Sequence, residues 1–171
     1  MLPQESAGKD RVPFLAPDEL LFRQVPNSHV EDGEVSIFAI QSKFDTDPKK
    51  CISVVRSRYT NSPFDAMHPN CAGGKDLSQT HIIMYVQVGD LPKGLAIKPV
   101  PVGRVFRWDT YPHHDPLPLC YAHSTICCCN QDEPDRPVRP PQSVRTQFRE
   151  WFAENLVSIL VMDSLLLNGS S

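Results

Sequence analysis

Residues 80–88, THIIMYVQV, are rich in β-branched and aromatic side chains and contain no glycine or proline. Such side chains pack well on a pleated surface, so the stretch predicts a strand, and its apolarity makes it the expected centre of a sheet. Shorter segments of the same kind lie upstream. Leu20 to Val25 (LLFRQV) reads as a first strand closed by the turn Pro26-Asn27-Ser28. Asp32-Gly33 marks a turn before a second at Val35 to Ile40, and Cys51 to Val55 (CISVV) reads as a third. Downstream, Leu95 to Ile97 and Val105 to Trp108 are weaker strand candidates, and Leu119 to Cys129 is the last strand. Ser62-Pro63 opens a brief helix through Met67, because proline is tolerated in a first helical turn.

Seventeen prolines cut the chain into short pieces. Tyr111 to Pro118 is rich in structure breakers, and Pro134 to Pro141 reads as a linker. After that linker, Val144, Phe148, Trp151, Phe152, Leu156, Ile159 and Leu160 recur at helical spacing. The pattern predicts an amphipathic helix over 143–162 with Ser143 as its N-cap. Short strands without alternating helices argue against βαβ units. The expected fold is therefore α+β, a mainly antiparallel sheet of about five to seven strands with the C-terminal helix packed on it. The organisation expected is an irregular N-terminal arm over 1–18, one domain over 19–162, and a C-terminal tail over 163–171.

The 171 residues carry 17 Lys and Arg against 20 Asp and Glu, a net charge of -3, which gives no general attraction to nucleic acid. The first ten residues lack a signal pattern, and Leu156 to Leu167 is too short and too interrupted for a membrane span. A cytoplasmic setting follows as the expectation. The six cysteines, three of them adjacent at 127–129, do not have the spacing of a secreted disulfide framework, so they are expected to be reduced.

Three constellations could carry chemistry. The densest holds His113, His114, Asp115, Cys120, His123 and Cys127 to Cys129, and among them His113, His114, His123, Cys127 and Cys129 are thiol and imidazole groups that together suit zinc. Strand alternation points His123, Cys127 and Cys129 one way and Cys128 the other, and no paired CxxC knuckle is present. Cys71, after His68-Pro69-Asn70, lies in a loop where a nucleophilic thiolate would suit. Arg23, Arg56 and Arg58, on or beside strands, could clamp a phosphate or a carboxylate in bidentate fashion. No dinucleotide loop, phosphate loop, HExxH or GxSxG is present, which takes most of the weight from the cofactor and hydrolase classes recognised by those motifs.

Taken in order, several segments resemble a family of small bacterial proteins to which no activity is assigned. They are residues 18–23 (DELLFR), 32–36 (DGEVS), 52–54 (ISV), 86–91 (VQVGDL), 115–118 (DPLP) and 122–126 (AHSTI). The resemblance spans about 18 to 128 and departs from the family pattern around Phe38 to Pro48 and Gly103 to Thr110. It implies a bacterial intracellular setting and draws attention to Arg23, Ser36, Ser53 and His123.

Two further function classes stand beside the zinc protein. One is a binding module of adaptor, immunity or defence type that acts through a protein partner without catalysis of its own. Its sequence support is the proline-rich arm and the apolar Leu165-Leu166-Leu167. The other is an NAD-using enzyme loosely similar to ADP-ribosyltransferases. There Arg23 would hold the cofactor phosphates, Ser36 would order the nicotinamide side and His123 would be a polar site residue.

Overall fold

A computed structural model describes residues 10–32, 34–36, 51–71, 80–155 and 157–160. The strands are β1 (Leu20–Pro26), β2 (Val30–Glu31), β3 (Glu34–Val35), β4 (Ile52–Arg56), β5 (Thr80–Gln87), β6 (Leu95–Ala96), β7 (Arg107–His114), β8 (His123–Asn130), β9 (Glu133–Pro137) and β10 (Val157–Leu160). The helix α1 (Gln142–Asn155) precedes β10. Seven strands lie in the order β10-β5-β1-β4-β8-β7-β6, with β9 also paired to β8. Every neighbouring pair is antiparallel. β2 and β3 form a separate ribbon. The fold is thus the expected α+β arrangement.

Strand alternation gives the main sheet two buried faces. On the helix face Leu21, Val25, Ile52, Val54, Met84, Val86, Ile126 and Cys128 pack with Phe148 and Phe152 of α1. On the far face Phe22, Val55 and Ile83 pack with Tyr59, Ala66 and Ala122. The 3₁₀ turn Pro63–Met67 belongs to this second layer, and Asp65 reaches back to accept from the Asn61 and Ser62 N–H groups.

Several local expectations are corrected. The 80–88 strand is next to the edge, between β10 and β1, and β4 occupies the centre. The helix ends at Asn155, and Val157–Leu160 turns into a strand that pairs with β5. Its β-branched Val157 and Ile159 suit the ladder, and an unpaired β5 edge rewards an added strand. Ser143 is not the cap: it lies in the first turn, where the Pro141 carbonyl already accepts from Val144 and Arg145.

β7 continues through the breaker-rich stretch to His114. Thr110 donates its N–H away from β8, to the Pro92 carbonyl, so by alternation the Pro112 nitrogen faces the same outward side. No ladder bond to β8 is lost there, which is why the strand tolerates this proline. Pro134 to Pro137 likewise lies in the short edge strand β9, whose pairing with β8 requires few donors. The strand expected over 119–129 begins only at His123, because 117–122 forms a turn closed by reciprocal Leu117–Cys120 backbone bonds. Most of the strand expected at 35–40, and the tail 163–171 with its leucines, lie outside the described residues.

The expectation of reduced cysteines is also overturned. Cys51 bonds Cys127, directly across the β4–β8 ladder, and Cys71 bonds Cys120. Cys128 and Cys129 form no disulfide, and both are buried.

Candidate functional site

His123, the first residue of β8, is buried on the far face opposite Val55. Its Nδ1 lies 2.5 Å from the Asp115 carbonyl oxygen, and its Nε2 lies 2.6 Å from Ser53 Oγ. A carbonyl can only accept, so Nδ1 carries the proton and Nε2 is left to accept from the serine hydroxyl. Ser53 is the second residue of β4 and the one residue of that strand that is not fully buried. Its carbonyl accepts from Arg23 Nη1 at 2.7 Å, which fixes the backbone beneath the hydroxyl. A serine, an imidazole and an acceptor that orients the imidazole are therefore held in line on the two innermost strands.

On the helix face, Arg56 is wholly buried and grips Glu19 through Nε–Oε1 at 2.7 Å and Nη2–Oε2 at 2.9 Å. The same guanidinium donates to the Val12 and Phe14 carbonyls, each at 2.7 Å, and to His114 Nδ1 at 3.3 Å. The bidentate clamp expected of a strand arginine exists, but its carboxylate is the protein's own. Residues 10–18 of the expected arm are thereby tied down, and Leu15 enters the core. Burial first, then the Arg56 and His113 charges, push the His114 pKa below its ordinary value, against weaker opposing effects of Glu19 and Asp115.

Arg23, Ser36 and His123 are not brought together as an NAD site. Arg23 shares the helix face with Leu21 and lines a small apolar cavity under Phe152, whereas His123 is on the far face. Ser36 follows the separate β2–β3 ribbon and donates its N–H to the His29 carbonyl. The zinc constellation is likewise divided. Cys127 is in a disulfide, both His123 nitrogens are engaged, and His113 and His114 alternate to opposite faces of β7. Cys129 is buried. Among the described residues no three His, Cys, Asp or Glu side chains converge to hold a metal. Cys71, offered as a nucleophile, is oxidised and buried.

One feature escaped the sequence reading. Between β6 and β7, residues 97–104 are all exposed. Ile97, Val100, Val102 and Phe106 are 38%, 59%, 107% and 47% exposed. The stretch 93–107 also carries Lys93, Lys98, Arg104 and Arg107 and no Asp or Glu, a local excess of cations in an acidic chain. Arg104 meets a single exposed carboxylate, Asp132, at 2.9 Å. The loop springs from a firm base: Leu95 pairs with Trp108, Gly94 N–H donates to Asp109 Oδ1 at 2.8 Å, and Gln147 of α1 donates to the Ala96 carbonyl. Gly103 takes a positive φ of 106°, a conformation that side-chain-bearing residues resist. The signal available in the sequence was the alternation of valine with proline at 99–102 without any acid nearby, which reads as a loop by its breakers and as a strand by its valines.

No helix among the described residues is long and apolar enough to cross a membrane. No protein-family model, curated protein or solved structure matches the chain.

Proposed function

We infer that the protein is a binding module that docks on a partner protein through the β6–β7 loop. The observation that carries this reading is the loop itself, four exposed apolar side chains among four cations, projecting from a base tied to both sheet and helix. Isolated exposed apolar residues are ordinary, but a cluster rimmed by one sign of charge marks an interaction surface. A partner that fits presents an apolar cleft bordered by carboxylates. The apolar side chains supply affinity on leaving water, and the cations steer the encounter. The adaptor, immunity or defence role is the biological form this reading takes. The two disulfides favour an oxidising setting over the reducing cytoplasm.

The test is recovery of the affinity-tagged chain from the cell that naturally makes it, beside a Val102→Asp variant of unchanged melting temperature. One protein recovered near equal amount with the natural chain, and lost with the variant, supports the reading. The same proteins at the same levels from both overturn it.

A further inference from the structure

The hydrogen-bonded line Ser53–His123–Asp115 is not used by the docking surface, and its chemistry points elsewhere. A serine hydroxyl is a weak nucleophile until a base takes its proton as it attacks. Here the base is in place. His123 Nε2 lies 2.6 Å from Ser53 Oγ, with its lone pair toward the hydroxyl because Nδ1–H is held by the Asp115 carbonyl. That carbonyl orients the ring and fixes its tautomer, as a carboxylate does in the familiar hydrolase triad, and turns its dipole toward the imidazolium that forms. The scaffold is rigid, since β4 and β8 are paired along Ile52–Val55 and cross-linked by Cys51–Cys127 two residues from Ser53.

A second serine–histidine contact in the same sheet shows what the first one has. Ser124 Oγ lies 3.4 Å from His114 Nδ1, but that nitrogen already receives Arg56 Nη1–H, and Ser124 is wholly buried. Its hydroxyl has no free base and is wholly enclosed. Ser53 has a base that no other donor occupies, and it is the one partly exposed residue of β4.

We propose that Ser53 is an activated nucleophile, with His123 as its general base, that accepts the acyl group of a compact ester. Ser53 Oγ attacks the ester carbonyl carbon and its proton passes to His123 Nε2. The bond between the acyl carbon and the alkoxy oxygen then breaks, the alcohol leaves with the proton from Nε2, and an acyl-Ser53 remains. Water attacks the acyl carbon while His123 Nε2 takes its proton, the acyl carbon–Oγ bond breaks, and Nε2 returns the proton to Ser53 Oγ as the carboxylic acid leaves. The acyl portion is small because Ser53 is only partly open and is flanked by the Cys51–Cys127 disulfide and Thr125.

The experiment treats the full oxidised chain with diisopropyl fluorophosphate. There the Oγ–phosphorus bond forms, the phosphorus–fluorine bond breaks, fluoride leaves, and the proton goes to His123. The expected result, by intact mass and peptide mapping, is one adduct per chain at Ser53 and none at Ser124. A positioned base accelerates such a step by about 100-fold or more, so the folded chain reacts that much faster at Ser53 than the same chain unfolded in urea. Ser53→Ala removes the adduct, and His123→Gln slows labelling by a similar factor. A burst of one equivalent of p-nitrophenolate from p-nitrophenyl acetate, followed by slower continued release, marks acylation of the serine and its hydrolysis. If His123→Gln fails to fold, the folded-to-unfolded ratio of the natural chain decides. A folded natural chain with no adduct at Ser53, or with Ser53 labelled no faster than when unfolded, overturns the proposal. The reaction requires no partner, so its outcome is independent of the docking reading.

Discussion

Arg56 is the largest fully buried side chain among the described residues, and its five N–H groups meet five acceptors: two Glu19 oxygens, the Val12 and Phe14 carbonyls, and His114 Nδ1. A buried charge with all donors engaged is tolerated, but removing one partner leaves the other uncompensated. Glu19→Ala is therefore expected to cost about 3 to 5 kcal/mol of folding stability, read from urea unfolding, and Arg56→Met in the same chain to recover part of the loss. His114 belongs to this network as an acceptor and so must stay neutral. Because burial and the neighbouring cations lower its pKa in the folded state, the unfolded chain takes up the proton first on acidification. This contribution is intact above the ordinary value of 6.5 and is lost as the pH falls below it. The urea midpoint should fall more between pH 7.5 and 5.5 in the natural chain than in His114→Gln, and equal falls would contradict the assignment. Cys128 makes a third residue-level case. Burial, then Cys129, pushes its thiol up to about 12. A thiol reagent should find no reactive cysteine in the folded protein and two after unfolding without reductant.

Helix α1 carries the helix-face core through Val144, Phe148 and Phe152, with Phe148 and Phe152 edge to face at 4.6 Å. Phe148→Ala should cost about 3 to 5 kcal/mol, the range for an emptied aromatic core site, measured by the shift in urea midpoint. Val102→Asp, at a fully exposed loop position, should change stability by no more than about 0.5 kcal/mol. This helix was legible in sequence because its apolar period is 3.6, whereas its end was not. Residues 157–160 continue the apolar run, and only the open edge of β5, a tertiary fact, decides that they pair as a strand. β7 was half read for the opposite reason. Pro112 breaks the strand pattern, yet its nitrogen faces outward where no ladder bond is needed. The resemblance drew attention to both Ser53 and His123, but their hydrogen bond depends on the β4–β8 register, which spacing along the chain does not encode. Arg23 and His123 came apart because they lie on opposite faces of the sheet, with β4 between their strands, and neither face nor strand order can be read from spacing along the chain.

The whole molecule is a sheet covered on both sides, with two disulfides fastening the layers of its far face and the docking loop projecting between β6 and β7. Cys71–Cys120 ties the segment after the Pro63–Met67 turn to the turn before β8, and Cys51–Cys127 joins the two central strands. The bonds close stretches of 49 and 76 residues, long enough that each is expected to contribute about 4 kcal/mol through loop entropy. A reductant should therefore lower the melting temperature sharply, and a protein whose melting is unchanged by reduction would not be held in this way. The loop at 97–106 carries the account's main functional claim. Its most direct measurement is photo-crosslinking in the native cell, with a photoreactive residue placed singly at Val100, Val102 or Phe106 and, for comparison, at the exposed Glu154 of α1. One shared partner band is expected from the three loop positions and none from position 154. Equal capture from position 154, or no discrete band from any loop position, would contradict it.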